Sequence, residues 1–308
     1  MPGPRPELLP CPVADRPAAL ALLYRNASQH LRLRLVADAL ADAEAGAVDL
    51  SGLWIARRRG RVVGTLLTQL LAGRAAAVWA PEVDLALGRG AVAAQLLEVA
   101  LNDLQSKGFR VAQALLDRSA PARAAADLER GGLRRITSLT YLGRPTSTPL
   151  DVAPTVPPWR WTTFGTDSVA EFRAVLQATY AGSLDMPELS GVRTLDDVLA
   201  GHRAAGRFVA GRWRLGRLDD DPSAAAILLL SEFPDRPAWE VAYLGLTPAA
   251  RGRGLGRAAL AAALDLARPH VPRLELAVDD RNHPAGRLYR SCGFLPFDRR
   301  VVHLATFG

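Results

Sequence analysis

Two rhythms of apolar positions run through the second half of the chain. Residues 207–217 and 224–233 read as successive strands, with a turn of Asp219, Asp220, Asp221 and Pro222 between them. A third strand spans residues 239–246 and ends at Thr247-Pro248. The rhythm then lengthens to that of a helix over 254–267, rich in Ala and Leu and stopped by Pro269. Residues 273–278 alternate as a strand, 284–291 form a short helix closed by Cys292-Gly293, and 299–307 make a last strand. Trp159 and Trp161 alternate and start a strand packed on the same core.

The first half repeats this order. Residues 52–58 and 62–71 form a hairpin, 75–80 a third strand, 90–107 a long helix, 109–116 a strand, 121–130 a helix and 135–142 a final strand. The internal repeat organises the chain more strongly than any single element. It predicts two copies of a mixed α/β fold, each with a mostly antiparallel sheet flanked by helices. The expected domains are residues 1–143 and 159–308. Residues 144–158, proline-rich and poor in packing side chains, read as a linker.

Length agrees with roughly two domains of ordinary size. Of the chain, 49% is hydrophobic and 22% charged, a globular balance. The net charge of +7 is almost all arginine, since Lys107 is the only lysine. Nucleic-acid binders gather such charge in a patch. The nearest candidate, Arg57-Arg58-Arg59-Gly60-Arg61, lies between apolar runs and reads as a solvated hairpin tip, so a nucleic-acid partner is not expected. Two isolated cysteines, Cys11 and Cys292, form neither a disulfide framework nor a zinc set. The first residues lack a signal-peptide core and no run spans a bilayer, which makes cytoplasm the expected compartment, with no membrane partner. His270 and His283 flank turn prolines and are expected in solvent, and Cys292 reads as inert filling.

The chemistry concentrates in Val241-Ala242-Tyr243-Leu244-Gly245-Leu246-Thr247-Pro248-Ala249-Ala250-Arg251-Gly252-Arg253-Gly254-Leu255-Gly256-Arg257. A strand ends, and a glycine-rich turn opens a helix whose first N–H groups and dipole favour a pyrophosphate. Gly245 inside the strand suggests a bulge or kink. No Gly-Lys-Ser/Thr follows, which excludes a P-loop. Downstream come Asn282, Ala285, Leu288-Tyr289 and Gly293-Phe294.

Arg251-x-x-Gly254-x-Gly256 resembles the R/Q-x-x-G-x-G/A signature of the GNAT acetyltransferases. The downstream set resembles that family's N-x-x-A-x-x-L-Y-x-x-x-G-F. The likeness is strong over 238–294, and the tandem arrangement also resembles the mycothiol synthases within the family. The resemblance implies acetyl-CoA as co-substrate, no metal, and direct transfer to an amine. Backbone groups of Leu244 and Leu246 would meet the pantetheine arm and the acetyl carbonyl. The amides of Gly252, Arg253, Gly254, Leu255, Gly256 and Arg257 would hold the pyrophosphate, with Arg251, Arg253 and Arg257 supplying cations. Asn282 would bind the pantetheine end, and Tyr289 would protonate the leaving thiolate. Glu240, on the strand entering the bulge and on one face with Ala242 and Leu244, would accept the amine's proton.

Residues 179–193 precede the first strand pair and are expected to wall the acceptor site. Tyr180, Ser183, Asp185 and Glu188 suit a cationic amine, of a small molecule or a peptide, with the small molecule favoured over a protein terminus. In the first half, Gly73, Pro121 and Leu128 fall at the places of Glu240, Asn282 and Tyr289, and no R-x-x-G-x-G follows Pro81. That copy is expected to be degenerate and non-catalytic. Acetylation of a sugar-linked cysteine amine, a non-catalytic acyl-CoA-binding module and an RNA-associated acetyltransferase are the alternative readings.

Overall fold

A computed structural model describes residues 5–152, 159–218, 221–234 and 236–308. Asp219 and Asp220 of the expected turn, and residues 153–158 of the expected linker, lie outside the described residues. The chain forms two compact units, Met1–Ile136 with Val301–Gly308 and Thr137–Arg300.

The first unit holds strands β1 (Glu7–Pro10), β2 (Leu53–Arg58), β3 (Arg61–Leu71), β4 (Ala75–Val78), β5 (Glu82–Val83) and β6 (Val111–Leu116). Its helices are α1 (Arg16–Leu23), α2 (Gln29–Glu44), α3 (Arg89–Ser106) and α4 (Arg123–Arg130). Pairing runs β1-β2-β3-β4 antiparallel, then β4 to β6 parallel, with β5 on β3. The basic segment is a hairpin tip: Arg59 and Gly60, both at positive φ, turn between β2 and β3. Within it, Arg57 pairs with Glu7 and Asp15. One core packs α3 against the sheet through Leu96, Leu97 and Leu104. Another packs α1 on the opposite face through Ala19, Leu20 and Leu23.

Strand β7 (Arg134–Pro145) carries the chain into the second unit, followed by β8 (Trp159–Thr163), α5 (Val169–Thr179), α6 (Leu195–Ala204), β9 (Trp213–Leu218), β10 (Asp221–Glu232), β11 (Ala238–Leu246), α7 (Leu255–Ala267), β12 (Arg273–Asp279), α8 (His283–Ser291) and β13 (Leu295–Thr306). Here β8-β9-β10-β11 are antiparallel, β11 and β12 parallel, and β12 antiparallel to β7. The strand order repeats that of the first unit. No helix among the described residues is long and apolar enough to cross a membrane.

The units differ from the halves read in the sequence. Strand β7, from the first half, pairs with β12 and belongs to the second unit from Thr137 onward. Residues 301–306 of β13, from the second half, pair with β6 in the first unit. The start of the expected linker is strand as well. Arg144 is buried, donating to the carbonyls of Cys292, Thr148 and Pro149. The strand expected over 207–217 shortens to β9, because Ala210–Arg212 winds into a 3₁₀ turn and Arg207 makes only an isolated bridge to Glu232.

Candidate active site

Strand β11 carries one residue too many for its neighbour. Leu229 faces Tyr243 and Leu230 faces Val241, which leaves Ala242 as the bulge. The sequence suggested Gly245 for this place. Gly245 answers a packing need instead: a Cβ there would lie 2.6 Å from the Tyr243 ring and 2.8 Å from Cβ of Thr179. At the bulge the parallel ladder also stops. β11 and β12 pair from Ala238 with Arg273 to Val241 with Leu276 and no further. Beyond that point β11 stays on β10 up to Leu246, and β12 stays on β7 up to Asp279. A gap therefore opens between them, with Leu244 and Leu246 along one side.

The glycine turn stands at the end of β11. Gly254 is the N-cap of α7 at φ 76°, in the left-handed region that only glycine enters cheaply. Among the described residues, the amides of Gly252, Arg253 and Gly254 have no intrachain acceptor. With the first-turn amides of Leu255 and Gly256, they suit an anion at the positive end of the helix; the Arg257 amide, expected among them, is taken by the Gly254 carbonyl at 3.1 Å. The three arginines divide their work. Arg251 donates to carbonyls of Thr179, Ala181, Gly182 and Leu246. Arg257 donates to carbonyls of Asp151 and Ser291. Arg253 is exposed and has no intrachain partner among the described residues, so the cation available to an anion here is Arg253.

Alternation puts Glu240 and Tyr289 on opposite faces of the sheet. Trp239, Val241 and Leu276 share a core with Tyr289, whereas Glu240 lies opposite Glu275 on the other face. The bulge moves Tyr243, rather than Leu244, onto the face of Glu240. Glu240 is half-buried and accepts from Arg236 at 3.3 Å. Burial pushes its pKa up, Arg236 pulls it down, and Glu275 pushes it up again. Tyr289 is 8% exposed and makes no hydrogen bond among the described residues. Burial raises its pKa, so the phenol holds its proton at neutral pH.

The expected acceptor wall forms a cavity of about 490 Å³, lined by Tyr180, Asp185, Met186, Arg193, His202 and Tyr243 among others. The rings of Tyr180 and His202 lie 5.5 and 5.6 Å from that of Tyr243, whose hydroxyl is 2.8 Å from Oγ1 of Thr179. Burial pushes Tyr243 up to about 12 and, together with Arg193, pushes His202 down to about 4, which leaves both neutral. Asp185 accepts from the Asp279 amide and from Nδ2 of Asn282 at 3.1 Å each, and burial raises its pKa. Asn282 also caps α8 by accepting from the Ala285 amide. Glu188 points elsewhere: Arg281 holds both its oxygens, at 2.6 and 3.0 Å, and keeps its pKa low. The sequence reading missed Tyr243 and His202. The signal for Tyr243 was a tyrosine two residues before an in-strand glycine, a pair that shares one face.

The first unit keeps part of the turn. Gly88 caps α3 at φ 75°, as Gly254 caps α7, and Gly90 stands where Gly256 does, so Leu85 replaces the arginine. Arg89 is bound to Asp127, at 2.8 Å.

Comparison with known proteins agrees with the resemblance carried by the glycine turn and the downstream motif. The model of the acetyltransferase (GNAT) family matches residues 182–294. A mycothiol acetyltransferase of Thermobispora bispora is 36% identical over 223 residues, 70% of this chain and 71% of that protein. The chain belongs to the GNAT acetyltransferase family. Another mycothiol acetyltransferase, from Beutenbergia cavernae, is 35% identical over 54% of this chain, and the match spans 57% of that relative's length. The fold matches a GCN5-related N-acetyltransferase from Sphaerobacter thermophilus (TM-score 0.60, 21% identity, 99% of this chain and 96% of that one). It also matches a tandem GNAT protein from the clavulanic acid biosynthesis pathway (TM-score 0.51, 19% identity, 98% and 99%).

Proposed function

We propose that the second unit transfers acetyl from acetyl-CoA directly to the amine of a small acceptor. The observation that carries this reading is the gap opened between β11 and β12 at the Ala242 bulge, beside the uncapped amides of Gly252–Gly254. Acetyl-CoA supplies the activated acetyl group as a thioester. Leu244 and Leu246 hold the pantetheine arm through their backbones, with Asn282 at its end. The amides from Gly252 to Gly256 and the side chain of Arg253 hold the pyrophosphate. Glu240 accepts the amine's proton, directly or through water, on one face of the gap. Tyr289 gives its proton to the leaving sulfur on the other. Tyr180, Asp185 and Tyr243 wall the acceptor. Glu188 contributes through Arg281 rather than by touching the acceptor.

The test is thiol release from acetyl-CoA with a panel of small amines. Amine-dependent release supports the reading. Acetyl-CoA binding without release for any amine favours a binding module.

A second reading of the acceptor, the amine of a sugar-linked cysteine, is supported by the relatives at 35% and 36% identity, which are mycothiol acetyltransferases. It expects that amine to be used with a kcat/KM at least ~10-fold above simple amines, about 1.4 kcal/mol of discrimination.

A further inference from the structure

The arginine of a glycine-rich cofactor loop invites a phosphate role, but Arg251 is turned away from that task. Its Nε donates to the Leu246 carbonyl at 3.1 Å, Nη2 to Thr179 at 2.8 Å, and Nη1 to Ala181 at 2.7 Å and Gly182 at 3.4 Å. These four carbonyls take up all but one of the five guanidinium N–H groups. Thr179 is the last residue of α5. Carbonyls at a helix C-terminus lack intrahelical donors and sit at the negative end of the dipole, so a cation there is doubly favoured. Leu246 is the last residue of β11. Arg251 thus ties the end of α5 to the end of β11, the two elements that present Tyr180 and Tyr243 to the cavity.

The loop that follows α5 is held by a second group of side chains. Met186 lines the cavity in the left-handed region, at φ 45° and ψ 57°, which is strained for a residue with a Cβ. Its amide donates to Asp279 at 3.2 Å. Asp279 is buried, and hydrogen bonds from Arg281 and Thr137 outweigh the effect of burial and keep it ionised. Asn282 and Arg281 hold Asp185 and Glu188. Residues of, or next to, the two cofactor signatures therefore shape the acceptor loop.

We propose that Arg251 is a positioning residue of the acceptor cavity and not a ligand of the cofactor's pyrophosphate. The inference rests on the acetyltransferase reading for what the cavity does, but its test does not need an identified acceptor. In Arg251→Gln, amide hydrogen exchange over residues 180–190 should quicken at least ~10-fold, because those amides lose the clamp that holds their carbonyl neighbours. Coenzyme A affinity by calorimetry should stay within about threefold of wild type. Acceptor KM, for the panel amine that wild type acetylates fastest, should rise at least ~10-fold while acetyl-CoA KM holds. Arg251→Lys keeps the charge but has one ammonium in place of a fork, and should restore part of the protection and of the acceptor KM. It also serves as the readout if Arg251→Gln does not fold. Arg253→Gln should do the reverse, weakening coenzyme A and leaving exchange over 180–190 unchanged. A tenfold loss of coenzyme A affinity in Arg251→Gln overturns the proposal, with or without faster exchange, as does unchanged exchange with unchanged acceptor KM. Failure of the acetyltransferase reading looks different: the wild type itself would release thiol with no amine of the panel, while exchange over 180–190 and coenzyme A affinity would still report on Arg251.

Discussion

Glu240 shows how environment sets the task of a single carboxyl group. Burial raises its pKa, and Glu275 opposite adds to the rise, so its proton leaves above the ordinary carboxylate range. Two consequences follow with opposite signs. For activity, a base works once deprotonated, so turnover should climb as pH passes that raised pKa. Glu240→Gln should remove this limb, lower kcat on the order of 10²-fold, and recover partly at high pH where the amine is already neutral. For stability, a carboxyl whose folded pKa is raised favours the fold most below its unfolded pKa, and that contribution is lost as pH rises through the folded value. Melting curves should therefore find Glu240→Gln at least as stable as wild type at pH 7; a clear loss there would mean the carboxylate is a structural partner of Arg236. Tyr289→Phe tests the other face. Its hydroxyl makes no hydrogen bond among the described residues, so the fold should hold while kcat drops on the order of 10²-fold and cofactor affinity stays level. In the sequence Tyr289 stands out by its place in the second signature, and Glu240 only by its place on the strand entering the bulge. The commitments of Arg251, Arg257 and Glu188 were not legible, because sequence gives a charge but not the carbonyl or counter-ion that claims it.

At the scale of elements, the helix after the glycine turn was legible to within one residue, since an apolar stripe and a glycine cap agree. Helix α5 has its buried residues at Phe172, Val175, Leu176 and Thr179, a helical spacing that was there to be read. Helix α2 buries no side chain fully, yet Val36, Ala39, Leu40 and Ala43 pack on the core at helical spacing. The bulge was misplaced for a physical reason: β11 is apolar on both faces, so alternation does not say which residue is extra. Gly245 was noticed as an anomaly, and the anomaly turned out to be the ring of Tyr243 lying over it. Gly245→Ala should force that ring and Thr179 aside, costing about 1–3 kcal/mol by denaturant unfolding and altering the acceptor wall before the cofactor loop. Unchanged stability would show that the ring has room to move. Gly254→Val places a β-branched residue at φ 76° and a side chain where the pyrophosphate approaches, so acetyl-CoA affinity should fall at least ~10-fold.

At the scale of the molecule, the repeat was legible but the exchange of strands was not. Residues 134–145 and 295–306 close corresponding halves with similar alternating strands, and alternation carries no information about which sheet edge a strand joins. The exchange decides what can be cut. A fragment of residues 159–308, the domain expected from sequence, lacks β7. Its β12 would lose the partners that run from Pro145 opposite Arg273 to Leu139 opposite Asp279. It would also lose two buried hydrogen bonds, from Thr137 to Asp279 and from Arg144 to the Cys292 carbonyl. At its other end it would carry Val302, His303 and Leu304, buried in the full chain against the first unit's β6, as an exposed tail. A fragment of residues 137–300 keeps β7 and ends before that tail. The expected outcome is that 137–300 is soluble, unfolds cooperatively and binds acetyl-CoA by calorimetry, while 159–308 aggregates or shows no cooperative transition. If 159–308 folds and binds the cofactor as well as 137–300, then β7 is an accessory strand, and the boundary of the catalytic unit lies after it, where the sequence alone had put it.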